Sequence, residues 1–317
     1  MTFTITRVIP SDPVTLYVGP KASRADIEQV SEKLGLNRPL VVQYLYYIRD
    51  LLQGDLGRSI ASKLPVLDVV GALWPATLEL LFTSIILSTL IGIPLGVLSA
   101  RLQGRPLDVL VRAFSIIGIS MPAFLIGLIF QIIFFRNLHL LPLTGRFTAD
   151  LRFTNPIDAI TGFYLIDTVI SGNWVAFKDV TWHIILPAIT LAMYPMGLIA
   201  RMTRATMLEV MNQDYIRTAR AYGTRETFVF YAYALKNAIG PTLTVIGLTL
   251  AWSLTGTFFV EIIFNWPGLG TFTVNSLLSL DYPAVMGITL LGATGYVVIN
   301  LIVDFVQAWI DPRITLA

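Results

Sequence analysis

Five stretches of this chain are long and carry no Lys, Arg, Asp or Glu at all: residues 80–98, 113–135, 184–200, 238–260 and 282–303. A hydrocarbon core about 30 Å thick takes roughly 20 apolar residues of helix, so each stretch is of spanning length. A helix on a soluble core of that length would show charged residues toward water, and none is present. The remainder agrees, since 55% of the residues are hydrophobic, only 13% are charged and the mean hydropathy is +0.71, against about a quarter charged in soluble domains. The expected fold class is an all-α polytopic membrane protein.

Positive charge sets the expected orientation, because short cytoplasmic loops retain Lys and Arg. Arg101, Arg105 and Arg112 join the first two runs, Arg201, Arg204, Arg217, Arg220, Arg225 and Lys236 join the third and fourth, and Arg313 lies in the tail. These segments are expected to be cytoplasmic. Residues 265–281 have no basic side chain, and 137–182 balance Arg146, Arg152 and Lys178 against Asp150, Asp158, Asp167 and Asp179, so both are expected outside. Residues 10–73 then also lie outside. In them Ser23, Asp26, Ile27, Val30, Leu34 and Gly35 mark one helix, and Pro39, Leu40, Tyr44, Tyr47, Ile48, Leu51 and Gly54 a second. This segment reads either as a cap over a pore mouth or as a packing layer. No cleavage site follows Met1–Pro10, so insertion falls to the spans themselves. An external N-terminal segment needs a preceding span, and residues 1–9 are read as the remnant of a first helix. The expected divisions are 1–9, the external segment 10–73, a membrane domain 74–310 with a cytoplasmic loop at 209–226, and a cytoplasmic tail 311–317.

Within the first run Ser84, Ser88, Gly92, Gly96 and Ala100 recur every fourth residue. Such a strip lets helix backbones approach closely, either within the chain or at a subunit interface. Pro94, Pro122, Pro187, Pro195 and Pro241 lie within or beside the runs, where proline frees carbonyls and permits kinks. Glu79, Glu261 and Asp304 sit at run edges, and structural pairing is the preferred reading for each. His139 and His183 are far apart and lack ligand spacing, so no metal site is assigned. Trp266-Pro-Gly-Leu-Gly270 has no following Lys and reads as a tight re-entrant turn with Trp266 as an interfacial anchor. With no cysteine, thiol chemistry is excluded.

The loop Glu209-Val-Met-Asn-Gln-Asp-Tyr-Ile-Arg-Thr-Ala-Arg-Ala-Tyr-Gly223-Thr-Arg-Glu is too polar for the bilayer. It predicts a surface helix over 209–222, with Val210, Tyr215 and Ala219 on its apolar side and Gly223 as the stop. Alanines and Thr218 leave a slim surface that a partner's groove could accept, and Arg217 and Arg220 offer forked donors.

Asp214-Tyr-Ile-Arg-Thr-Ala-Arg-Ala-Tyr-Gly223, followed by Lys236-Asn-Ala-Ile-Gly-Pro241, resembles the coupling-loop signature of type I ABC importer permeases in its dipeptide/oligopeptide/nickel variant. The general pattern of that family is Glu-Ala-Ala, three residues, then Gly. Here Arg217, Thr218, Ala219 and Gly223 hold those positions, a departure typical of the peptide subfamily. Further matches are Ile9-Pro-Ser-Asp-Pro13, with Ser11 in the place of a usual Gly, Leu34-Gly-Leu-Asn-Arg-Pro39, Gly54-Asp-Leu-Gly-Arg-Ser59 and Pro75-Ala-Thr-Leu-Glu-Leu80. Near the end come Val260-Glu-Ile-Ile-Phe-Asn-Trp-Pro-Gly-Leu-Gly270, Asp281-Tyr-Pro283, Asn300-Leu-Ile-Val-Asp304 and Asp311-Pro-Arg313.

The resemblance implies a MetI-like transmembrane fold with a six-helix pattern, its first helix truncated here. It implies a second homologous permease, two cytoplasmic ABC ATPases and an extracytoplasmic solute-binding protein as partners in the inner membrane. ATP and magnesium would sit on the ATPases, with no cofactor on this chain. Asp214, Arg217, Thr218, Ala219, Arg220, Ala221 and Gly223 would form the loop seated in an ATPase cleft, coupling hydrolysis to import of peptides or a related small solute. Independently, no Lys here precedes Ser or Thr, so the chain has no Walker A motif. An ion-coupled secondary transporter would place ionisable groups near the bilayer midplane, and the five uncharged runs offer none. A membrane enzyme would need a constellation of nucleophile, base or metal ligands, and none assembles.

Overall fold

Where the uncharged runs fall, helices form. The computed structural model describes residues 37–310 together with Phe3, Ser23, Ala25, Glu28 and Glu32. In chain order the helices are α1 Leu40–Leu52, α2 Val66–Arg101, α3 Pro106–Ser120, α4 Ala123–Phe130, α5 Leu151–Thr154, α6 Tyr164–Ile170, α7 Trp174–Met211, α8 Asp214–Ala221, α9 Glu226–Phe228, α10 Leu235–Ile263, α11 Leu269–Leu278 and α12 Tyr282–Ile310. A π-helical stretch, Gln131–Asn137, continues α4, and another, Val229–Ala234, joins α9 to α10. Among the described residues there is no strand, only a bridge between Arg58 and Pro65. Helix α2, helix α7, the run from α9 through α10, and α12 are long and apolar enough to cross a membrane, and they contain four of the five expected runs. The expected helix from Ser23 to Gly35 falls mostly outside the described residues, as do segments 4–9 and 311–317.

The fifth run departs from expectation. Residues 113–135 are two helices that meet at 113°. Pro122 has no N–H to continue the helix, and its ring drives the preceding residue out of the helical region. Met121 accordingly adopts φ −86°, ψ 134° and Pro122 φ −60°, ψ 138°. Two successive extended residues turn the chain sharply where one straight span had been expected.

The chain divides into two compact units. One comprises Met1–Pro75 and Pro267–Gly295. Its core is Val66, Val70, Leu269, Ala284 and Ile288. Two sequence motifs separated by more than two hundred residues meet in it: buried Asp281 accepts from Ser59 Oγ at 2.5 Å and from the Ala61 N–H at 3.1 Å. Helix α1 ends as expected at Gly54, whose N–H reaches the Leu51 carbonyl at 3.0 Å. Its face is only half-buried, and Tyr44 and Tyr47 meet the ring of Phe3 at 5.3 and 5.7 Å.

The other unit comprises Ala76–Trp266 and Tyr296–Ala317, and α7 runs through its centre against α3, α4, α6 and α10. The small-residue strip of α2 lies along α7. Ser84 and Ser88 are fully buried, and Ser88 Oγ reaches the Ala192 carbonyl at 3.2 Å. A Cβ on Gly96 would stand 2.6 Å from the Ala200 carbonyl oxygen and 2.5 Å from Thr203 Cβ. Opposite, Gly197 of α7 comes equally close to α3, with the Ser115 carbonyl 2.8 Å from where its Cβ would be. The strip therefore packs within the chain. Near the other end of α2, Glu79 accepts from Arg146 Nε at 2.9 Å and from the Leu165 N–H at 2.7 Å, and Glu261 accepts from Thr77 Oγ1 at 2.7 Å. Both carboxylates thus have the structural partners expected of them. Asp304 does not; it is exposed, with no ion pair among the described residues. Trp266 is a second correction. Instead of anchoring at an interface it is fully buried, its Nε1–H donating to the Ala76 carbonyl at 2.9 Å.

Because the Ala200 carbonyl and the Thr203 Cβ, neither of them the end of a flexible side chain, oppose any group added at Gly96, Gly96→Ala should lower stability by about 1–3 kcal/mol as overpacking. Gly292, which has nothing within 4 Å of a built Cβ, is the control, and Gly292→Ala should be neutral or stabilising by up to about 1 kcal/mol. Thermal unfolding of the purified subunit in detergent checks the pair.

Candidate coupling site

The expected surface helix over 209–222 is two elements. Residues 201–211 continue the spanning helix α7 unbroken, and the chain turns at Asn212-Gln213 before α8 begins. Asn212 favours such an ending because its short side chain competes for the backbone's hydrogen bonds, its amide donating to the Leu208 carbonyl at 3.0 Å. Gln213 leaves the helical region at φ −74°, ψ 151°. Asp214 then occupies the first turn of α8, where a carboxylate is stabilised by the exposed N–H groups.

Helix α8 is held by one residue. Ile216 is fully buried in a cluster with Val97, Ala100, Met207, Val229, Phe230, Ala234 and Ala238, and Ala219 packs half-buried beside it. Burying such a side chain contributes about 1.5–3 kcal/mol, enough to seat a two-turn helix that could not stand alone. Ile216 and Ala219 share a face at i, i+3. The sequence pointed to Tyr215 for this face, but Tyr215 is 42% exposed. Val210 and Ala219 do pack against the cluster as expected; Ile216, three residues before Ala219, takes the place expected of Tyr215.

The end of α8 is fixed by Gly223 at φ +73°. Its N–H bonds the Arg220 carbonyl at 2.9 Å, and the Thr224 N–H bonds the Ala219 carbonyl at 3.2 Å. This closing pattern requires a left-handed residue, a conformation that costs an L-residue with a side chain roughly 1–2 kcal/mol. Beyond it the Arg220 guanidinium reaches back from α8 to Glu226, Nε to Oε1 at 2.8 Å. Glu226, not singled out from sequence, thus closes the turn between α8 and α9.

The other expected site residues, Asp214, Arg217, Thr218 and Ala221, are all exposed. Thr218 Oγ1 donates to the Asp214 carbonyl at 3.0 Å. Arg217 and Asp214 stand 3.5 Å apart with side chains 72% and 97% exposed, a contact worth little in water. The structure therefore gathers the seven residues on one short helix and its cap, with Ala219 turned partly inward and the remaining six facing solvent.

A buried carboxylate ties this end of α7 to its neighbours. Asp108, 1% exposed, accepts from Ser99 Oγ at 2.6 Å, the Gly104 N–H at 3.0 Å and Arg204 Nε at 2.7 Å, with Arg112 at 3.6 Å. It joins α2, the turn after it, α3 and α7. Removing one partner of such a pair leaves a buried charge uncompensated, at about 3–5 kcal/mol. The sequence carried a signal for it, since Asp108 is the sole acid among residues 101–112.

A family model described as the binding-protein-dependent transport system inner membrane component matches residues 92–316, and the N-terminal model of such membrane components matches residues 1–81. The chain is 46% identical over 314 residues to the probable D,D-dipeptide transport system permease protein DdpB of Escherichia coli, covering 99% of this chain and 92% of that one. It is 42% identical over 318 residues to the dipeptide transport system permease protein DppB of Alkalihalophilus pseudofirmus, and 41% identical over 315 residues to the oligopeptide transport system permease protein AppB of Bacillus subtilis. Each of these two alignments covers 99% of this chain and 93% of the relative. The spanning helices and the sequence motifs agree with these matches, and the chain belongs to the family of binding-protein-dependent transport system inner membrane components, as a multi-pass permease with the MetI-like fold.

Proposed function

We propose that the chain imports dipeptides or oligopeptides as one permease of a pair, and that α8 with its Gly223 cap is the element through which separate ATPase subunits drive it. The observation that carries this reading is the way α8 is mounted. One buried side chain, Ile216, seats it on the inner ends of α2, α7 and α10, while Asp214, Arg217, Thr218 and Ala221 are exposed and available to a groove on another protein. A push on that face is delivered to the spanning helices, because α7 is continuous into the loop and Asp108 locks it to α2 and α3. The names of the relatives support peptides as the solute, and a binding protein is the expected donor.

In this reading the basic segments around α8 and around Arg101–Arg112 are cytoplasmic, and the chain performs no chemistry; ATP and magnesium belong to the partner ATPases, and 74–310 acts as the permease domain with 209–226 as its coupling loop.

Two measurements test the reading. The chain has no cysteine, so Thr218→Cys introduces a single thiol on the exposed face of α8. A membrane-impermeant maleimide should label it in inside-out vesicles and not in intact spheroplasts; labelling from the outer side would overturn the orientation. Gly223→Val places a β-branched residue at a left-handed position, at a local cost of about 1–2 kcal/mol, and should leave membrane insertion intact. In proteoliposomes holding the complete assembly, peptide uptake per ATP hydrolysed should fall about tenfold or more, the equivalent of about 1.4 kcal/mol of lost coupling. Undiminished uptake would remove the coupling role.

A further inference from the structure

Helix α1 turns its apolar side outward. Val41, Leu45, Ile48 and Leu52 follow one another at i, i+4, i+7 and i+11 along one stripe, and Val41, Leu45 and Leu52 are 71%, 62% and 83% exposed. Gln43 and Asp50, on the opposite side, are half-buried, and Tyr47 beside them meets the Phe3 ring at 5.7 Å. None of the 13 residues is fully buried. A helix on the surface of a water-soluble segment keeps its apolar stripe inward and its polar side outward. The inverted arrangement of α1 fits a surrounding that is not water.

The chain that follows α1 fixes how near it lies to the bilayer. Helix α12 is of spanning composition from Tyr282 to Phe305, 24 residues, or about 36 Å against a hydrocarbon core of about 30 Å. The first turns of α12 hold the segment after α1. A Cβ on Gly57 would stand 3.4 Å from Pro283 Cβ, and a Cβ on Gly287 would stand 3.5 Å from Leu56 Cβ. Gly287 is about 7.5 Å of helix beyond Tyr282, which puts Leu56 at the edge of the hydrocarbon. Leu52, the last residue of α1, precedes Leu56 by at most about 14 Å of extended chain, so α1 ends at the level of the lipid headgroups. Its flank suits that level: the Arg38 and Arg49 guanidinium groups lie over the Tyr46 ring at 4.8 and 4.9 Å, and side chains with apolar stems and polar ends are those that settle at a membrane surface.

We propose that α1 is an interfacial helix lying along the bilayer surface on the side where α12 begins, its partner a phospholipid leaflet, with Val41, Leu45, Ile48 and Leu52 sunk to the acyl boundary and Arg38, Tyr46 and Arg49 among the headgroups. The helix thereby moors the segment before α2 to the membrane. This stands on the spanning of α12 and is independent of the solute and of the ATPases.

The test uses the full chain with cysteine-free partner subunits in vesicles of phosphatidylethanolamine and phosphatidylglycerol. The chain has no cysteine, so nitroxide labels on Val41→Cys, Leu45→Cys and Leu52→Cys report these positions alone. Each label should collide several-fold more often with oxygen than with a water-soluble nickel chelate. Calibrated against lipids spin-labelled at known depths, that ratio should place all three about 5–10 Å below the phosphates. Thermal unfolding of the labelled variants should match that of the unaltered chain, because the substituted side chains are exposed. Labels as open to the nickel chelate as to oxygen would put α1 in water and overturn the proposal. Labels shielded from both reagents would put protein over the stripe, whether a partner subunit or another segment of this chain, and overturn it equally. A lowered unfolding temperature in the labelled variants would make the stripe a packing face and likewise overturn it.

Discussion

Everything in the larger unit depends on how closely α7 is approached by its neighbours. In lipid there is no hydrophobic gain from bringing helices together, so association rests on van der Waals contact and on hydrogen bonds that small residues make possible. Gly96 of α2 and Gly197 of α7 each leave room for a backbone carbonyl of the next helix, and Ser88 uses the same closeness to reach the Ala192 carbonyl. With α2 and α3 pressed against it on two sides, α7 is a rod of 38 residues, about 57 Å long, that passes from the spanning region into the loop bearing α8. Such a rod moves as a piece. A displacement of α8, the element proposed for coupling, would be carried along that rod.

Charge is scarce in the membrane-spanning helices, and where it occurs inside it is paired. Asp108 fixes the α7 end near α8, Glu79 with Arg146 ties α2 to the loop after α4, and Glu261 receives Thr77. A buried carboxylate without a partner is costly enough that each of these groups dictates where its partner must lie. They are positional constraints more than sources of stability.

Departures from straight helix coincide with identifiable chemistry. Pro122 turns what reads as one span into a bent pair, because a proline forbids both the hydrogen bond and the helical conformation before it. The chain also relaxes into π-helical turns at 131–137 and 229–234, a geometry uncommon in long form and often found at functional positions. The second of these carries Val229 and Phe230, two of the residues that enclose Ile216.

Uncharged length alone determined that this is a multi-span helical membrane protein, since lipid admits no other reading of runs without a charge, and the polar loop ending in Gly223 identified the candidate site because only a left-handed residue closes a helix that way. The small-residue strip was equally legible as a close-packing face. Its partner was not, because a stripe says that something comes near without saying what. The residue that seats α8 escaped the sequence for a related reason: Tyr215 and Ile216 lie four and three residues before Ala219, both spacings that share a helix face, and only the packing of Val97, Met207 and Phe230 chooses between them. Tertiary structure also decided which acids meet which bases, and that Trp266 is interior, because those outcomes depend on residues brought together from distant parts of the chain.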